Sequence, residues 1–173
     1  MIKTIAVALL GLFAGVLFAA EFPQAEITNG PIRAKIYLPD AQKGFYRGTR
    51  FDWSGVIYSL QYKGFDFYGP WFDRTAPDIR DFVWDGPDIV AGPCSAVTGP
   101  ADEFRPVGFD DAKPGGTFVK IGVGALKRPD DAPYSNYRLY EIADGGKRTL
   151  RQGRDFIEFT QQLSDASSGY GYT

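Results

Sequence analysis

The residues best suited to chemistry lie in a short segment between Gly44 and Gly55. It reads GFYRGTRFDWSG and carries Arg50, Asp52 and Trp53 close together. An arginine fork donates to two oxygens, a carboxylate accepts hydrogen bonds, and an indole ring offers an apolar face with a donor at its edge. We interpret the segment as the rim of a face that binds a small polar ligand.

Trp71 and Glu103 extend this set, and each candidate has a structural alternative. Arg50 could form an ion pair with Asp52 or with a loop carboxylate, and Trp53 and Trp71 could fill the core. Asp52 and Glu103 could instead cap turns. The two carboxylates are also the residue types of a glycosidase, but the sequence does not fix the separation of about 5 to 10 Å that this chemistry requires.

The chain contains no histidine. This excludes a Ser-His-Asp or Cys-His nucleophile and a histidine-ligated zinc site within the chain. The single cysteine, Cys94, has no partner for an internal disulfide. The pairs Asp110-Asp111 and Asp130-Asp131 lack the spacing of an EF-hand. No metal site or cofactor is therefore predicted, and any proton transfer would fall to carboxylates, tyrosines or lysines.

The N-terminus indicates export. Lys3 precedes an apolar run from Ile5 to Phe18, which is typical of a signal peptide over residues 1–20. A membrane anchor is the alternative, but the run is shorter than the roughly 20 residues of a spanning helix. We expect a periplasmic or extracellular protein with no stable membrane insertion after cleavage. The formal net charge of −2, without a clustered basic face, excludes nucleic-acid binding.

The composition favours β-structure. Glycine and aspartate are abundant, and the helix formers are not concentrated in any segment after residue 20. Asn29-Gly30 and Lys63-Gly64 each separate two apolar stretches and predict hairpins. The other predicted features are an ordered but irregular loop system over 69–106, one strand over 118–126, a third hairpin joining 137–142 to 147–150, a strand over 156–163 and the start of a strand at 169–173.

Several motifs resemble exported bacterial proteins of the galactose mutarotase-like superfamily. They are the stretches 29–40, 46–55, 99–104, 108–115 and 118–124. The resemblance implies a large antiparallel β-sandwich that binds sugars in its concave face and, in active members, interconverts α and β anomers. Residues 21–173 would then be the N-terminal half of that sandwich, truncated at the C-terminus.

The resemblance also bears on the site. In the family, the catalytic histidine and glutamate lie in the C-terminal half, and neither has a matching position here. We therefore expect this chain to bind a small sugar or sugar acid without being a competent mutarotase alone. The predicted substrate-binding residues are Arg50, Asp52, Trp53, Trp71 and Glu103. The alternative is a non-catalytic carbohydrate-binding module, or a cell-envelope interaction domain that pairs through an open sheet edge.

Overall fold

A computed structural model describes residues 22–72, 74–76, 78–94 and 98–173. The predicted signal peptide lies outside these residues. The regular secondary structure within them consists of strands in antiparallel sheets, so the predicted all-β class is confirmed. Within the same ranges, no helix is long and apolar enough to span a membrane.

Twelve strands are seen in the described residues and form four sheets. They are β1 Gln24–Thr28, β2 Ile32–Tyr37, β3 Val56–Tyr62, β4 Phe65–Tyr68, β5 Phe82–Asp85, β6 Asp88–Ala91, β7 Thr117–Lys120, β8 Gly124–Lys127, β9 Ile142–Asp144, β10 Lys147–Gln152, β11 Ile157–Asp165 and β12 Tyr170–Tyr172. The sheet orders are β1-β2-β3-β4, β5-β6, β7-β8-β9 and β10-β11-β12.

Both hairpins predicted from Asn-Gly and Lys-Gly turns are confirmed. β1 pairs with β2 across Asn29 and Gly30, and the Asn29 side chain accepts a hydrogen bond from the backbone N–H of Ile32. β3 pairs with β4 across Lys63 and Gly64, which both have positive φ. Turns with two positive φ angles match the twist of the strands they join.

The expectation of an irregular loop system over 69–106 was wrong in one respect. β5 and β6 form a hairpin there, turning at Gly86 and Pro87. Its residues do not alternate between buried and exposed: Trp84 and Ile89 are exposed, while the adjacent Val90 and Ala91 are both buried. The period-2 pattern that reveals a strand in a sequence is therefore missing.

The single strand predicted over 118–126 is instead the hairpin β7–β8. The chain reverses at Ile121 and Gly122, and the N–H of Val123 donates to the carbonyl of Lys120. Gly122 has a φ of +81°, which suits a turn rather than a strand. The glycines do mark close backbone approach, because a Cβ on Gly124 would collide with the carbonyl of Asp144.

The predicted third hairpin was also wrong. β9 pairs with β8, and β10 pairs with β11, so the two arms belong to different sheets. Gly145 and Gly146 carry the chain from one sheet to the next. The strand predicted over 156–163 is confirmed as β11, and the start of a strand at 169–173 is confirmed as β12.

The β7–β8 hairpin is buried on both faces and joins the layers. Phe118 and Leu126 point into the main core with Tyr37 and Val56 of the first sheet. Val119 and Ala125 point the other way, onto Leu163 and Tyr172 of the last sheet. Because successive strand residues face opposite sides, this one hairpin holds the chain in a sandwich-like arrangement.

Candidate functional site

Tyr46 organises the segment that carries Arg50. Its hydroxyl accepts hydrogen bonds from the backbone N–H groups of Arg50 (3.0 Å) and Phe51 (2.9 Å), and the residue is only 2% exposed. A Cβ on Gly48 would lie within 2.8 Å of the Tyr46 ring and hydroxyl, so the backbone passes close over the ring. Burial raises the pKa of Tyr46, which keeps the phenol neutral.

Arg50 is enclosed by two carboxylates and two aromatic rings. Its Nε donates to Glu103 Oε2 at 3.0 Å, and its Nη1 lies 3.5 Å from Asp81 Oδ2. The guanidinium carbon lies 4.6 Å from the ring centre of Phe51 and 4.9 Å from that of Tyr137. The structure thus shows an ion pair of Arg50 with loop carboxylates, not with Asp52.

Burial and charge act in opposite directions within this cluster. Burial alone would lower the pKa of Arg50, but the hydrogen bond to Glu103 and the charges of Glu103 and Asp81 outweigh it and raise that pKa. Burial raises the pKa of Asp81 despite the neighbouring Arg50 charge. The arginine therefore stays charged, and Asp81 takes up a proton more readily than an exposed aspartate.

Lys120, which the sequence reasoning missed, lies in the same neighbourhood. It is completely buried on β7, and its ammonium donates to the carbonyl of Phe104 and to the Tyr134 hydroxyl (3.0 Å). Burial lowers the pKa of Lys120. Its position inside the apolar run FVKIGVGAL is the signal that could have identified it. A lysine in such a run is expected to be buried, and a buried lysine needs polar partners.

An open cavity of about 420 Å³ lies beside this cluster, which we call the Glu103 cavity. It is lined by Glu103, Phe104, Arg105, Pro106, Tyr134 and Asn136. The lining combines a carboxylate, an amide, a guanidinium, a phenol and an apolar ring. These groups can accept from and donate to hydroxyls and can cover an apolar ring face.

The other three predicted residues lie elsewhere. Trp53 is 6% exposed and donates from Nε1 to the carbonyl of Gly48 at 2.7 Å, so its ring belongs to the core. Asp52 accepts from the N–H of Ser54 at 2.8 Å and packs against Gly122. Trp71 is 67% exposed, its ring lies tilted against that of Phe72, and it is not among the residues that line the Glu103 cavity.

Trp53 instead borders a second and larger cavity of about 530 Å³, the Arg47 cavity. Besides Trp53, it is lined by Pro39, Asp40, Ala41, Arg47, Thr49, Ile79, Leu139, Tyr140, Ile142, Gly145, Gly146 and Arg148. The Arg148 guanidinium lies 4.9 Å from the Trp53 ring centre. It donates from Nη2 to the carbonyls of Gly122 and Val123, and burial lowers its pKa.

Comparisons with protein-family models, curated proteins and solved structures give no match. Among the described residues, no group of three or more acidic or cysteine side chains is placed to hold a metal ion. The residues around Arg50 and Glu103 present hydrogen-bond donors and acceptors held in fixed positions.

Proposed function

We propose that this chain binds a small sugar or sugar acid in the Glu103 cavity. The observation that carries the proposal is the lining itself. Glu103 and Asn136 supply acceptors and donors for ring hydroxyls, and Arg105 can pair with a carboxylate. Phe104, which is 39% exposed, can cover an apolar sugar face.

Arg50 acts in this proposal as a positioning residue. Its hydrogen bond to Glu103 and its packing between Phe51 and Tyr137 fix the carboxylate beside the cavity. A side chain that is already ordered loses less conformational entropy when the ligand binds. Of the five residues predicted from the sequence, Glu103 would contact the ligand and Arg50 would hold Glu103.

We further propose that the chain is an exported member of the galactose mutarotase-like superfamily. Two features support this: the sequence motifs around residues 29–55 and 99–124, and the all-β antiparallel fold. The apolar N-terminal run supports export. The function proposed is binding rather than turnover, because the family's catalytic histidine has no counterpart in a chain without histidine.

Calorimetric titration with galactose, glucose and their uronic acids tests the binding proposal. At least one should bind, and Glu103→Gln and Asn136→Ala should each weaken it at least about tenfold, which corresponds to 1.4 kcal/mol. Glu158→Gln is the matched control, because Glu158 also pairs with an arginine but lies at an exposed site on β11. The proposal fails if no sugar binds or if the control weakens binding as much.

Polarimetry with pure α-glucose tests the absence of turnover. We expect anomer interconversion to proceed at the uncatalysed rate, since a positioned acid and base are needed to accelerate it. An acceleration that Lys120→Met or Glu103→Gln removes would show that the buried lysine and its neighbours supply those groups. That result would replace the binding proposal with an enzymatic one.

A further inference from the structure

The Arg47 cavity is lined by two arginines, and the carboxylates that act on them do so only through space: Asp40 on Arg47 and Asp52 on Arg148. In the part of the chain that the structure describes, neither Arg47 nor Arg148 forms a salt bridge. Arg47 donates from Nη1 to the carbonyl of Gln42 at 3.2 Å. Its Nε is buried and has no hydrogen-bond partner, a property that no other side-chain nitrogen or oxygen of the described residues shares.

Within the described residues, Asp40 is the carboxylate that lines this cavity, and one of its oxygens is engaged by the backbone. Asp40 Oδ1 accepts from the N–H groups of Gln42 (2.8 Å) and Lys43 (2.7 Å), as an aspartate does at the start of a turn. The charge of Asp40 also acts on Arg47, although no salt bridge joins the two side chains in the described residues. The buried Nε has almost no accessible surface, so a ligand in the cavity would meet Arg47 through Nη1 or Nη2.

Most of the remaining lining is apolar. Trp53 and Tyr140 are buried core residues with ring surface on the cavity, and Ile79, Leu139 and Ile142 add aliphatic groups. An inorganic anion would leave these groups uncovered. A ligand with a charged end and an apolar body would satisfy the arginines and cover the rings together.

We propose that the Arg47 cavity is a binding site for a small organic carboxylate. The carboxylate lies between Arg47 and Arg148, and the apolar body lies against Trp53, Tyr140 and Leu139. An arginine fork matches a planar carboxylate well. The proposal does not rest on sugar binding, since the Arg47 cavity and the Glu103 cavity share no lining residue.

Calorimetric titration of the full chain with benzoate, benzamide and inorganic phosphate tests the proposal. Benzamide has the shape of benzoate without its charge, and phosphate has charge without an apolar body. We expect benzoate to bind at one site, and benzamide and phosphate each to bind at least about tenfold more weakly. Equal binding of benzoate and benzamide, tightest binding of phosphate, or no binding of benzoate would each overturn it.

Substitutions then locate the site. Arg47→Met should weaken benzoate at least about tenfold, whereas Arg151→Met, which removes an exposed arginine of β10, should leave it unchanged. Unchanged benzoate affinity in Arg47→Met would overturn the assignment. Glu103→Gln should not alter benzoate binding, so failure of the sugar proposal and failure of this one can be distinguished.

A second variant keeps the test decisive if Arg47→Met does not fold. Leu139 is partly exposed at the cavity, and Leu139→Glu would supply an internal carboxylate beside the arginines. It should abolish benzoate binding, while Leu139→Gln, of similar size but uncharged, should retain most of it. Equal benzoate affinity in the two variants would contradict a site that selects for charge.

Discussion

Arg47 and Arg50 are three residues apart, yet their guanidinium groups have opposite surroundings. Arg50 meets Glu103 and Asp81 and lies between two rings. Arg47 and Arg148 line one cavity. The Nε of Arg47 is buried and has no hydrogen-bond partner. In the first region the arginine is already paired with carboxylates, whereas in the second neither arginine forms a salt bridge within the described residues.

The role of a charged side chain is therefore better judged from its partners than from its residue type. Arg50 drew attention in the sequence because it stands between Phe51, Asp52 and Trp53. In the structure its donors are engaged by carboxylates, so its contribution to binding acts through Glu103. Unpaired buried donors are stronger indications of a missing ligand than paired ones.

The largest expected effect is that of Gly122→Ala, a change next to Arg148 in the second region. Gly122 has a φ of +81°, and a Cβ there would lie 2.5 Å from Asp52 Cγ. Strain and overlap together should cost about 2 to 4 kcal/mol of unfolding free energy, measured by denaturant titration. The Gly122 carbonyl also accepts from Arg148, so benzoate binding should weaken as well.

Gly115→Ala is the matched control for this change. Gly115 has a similar φ of +83° but open space where a Cβ would lie, so it should lose only about 1 to 2 kcal/mol. Equal losses in the two variants would show that the contact with Asp52 contributes nothing. Asp52→Ala should recover part of the loss in Gly122→Ala.

The next largest effect is expected for the pair of Arg50 and Glu103 in the first region. A double-mutant cycle of Arg50→Met and Glu103→Gln should give a coupling energy of about 1 kcal/mol, because the pair is partly shielded from water. The same cycle on Arg151 and Glu158, which are 69% and 51% exposed, should give less than about 0.5 kcal/mol. A coupling near zero for Arg50 and Glu103 would mean that the first region is not held together by charge.

The two regions should also respond oppositely to pH. Burial raises the folded pKa of Asp81 above its ordinary 3.8, so the folded state binds more protons there and stability falls as pH rises through the window above 3.8. Backbone hydrogen bonds from Lys43 and Gln42 lower the folded pKa of Asp40, so its contribution is present above 3.8 and lost as pH falls through the folded value.

Denaturant unfolding of Asp81→Asn and Asp40→Asn between pH 2 and pH 6 measures this difference; the range is set by the ordinary aspartate pKa of about 3.9. In the parent chain, Asp81 makes the protein less stable as the pH rises, and Asp40 makes it more stable. Asp81→Asn should therefore abolish the first change, and Asp40→Asn should abolish the second. Parallel curves for the two variants would contradict the assigned directions.

The smallest effect is expected for Trp71→Ala. The side chain is 67% exposed and lines neither cavity. Its removal should change unfolding free energy by no more than about 0.5 kcal/mol and leave sugar and benzoate affinities unchanged. A loss of sugar binding would restore Trp71 as a ligand contact and would argue against the Glu103 cavity.

Local signals predicted the parts of the fold that depend on few residues. The turns at Asn29-Gly30 and Lys63-Gly64 define their hairpins within four residues. The β5–β6 hairpin was missed because its burial does not alternate. The pairing of β9 with β8 instead of β10 depends on strands distant in sequence, which local patterns do not encode.

The sequence was sufficient to predict the all-β class and two hairpins and to exclude catalysis by histidine. It also singled out the segment that carries Arg50. Only the packed structure shows which carboxylates pair with Arg50, that Lys120 is buried near them, and that Arg47 and Arg148 line the same cavity. These groups are distant in the sequence: Arg50 is 31 positions from Asp81 and 53 from Glu103, and Arg47 and Arg148 line one cavity from separate segments. Spacing along the chain says nothing about such meetings, and burial and pairing exist only once the sheets have packed.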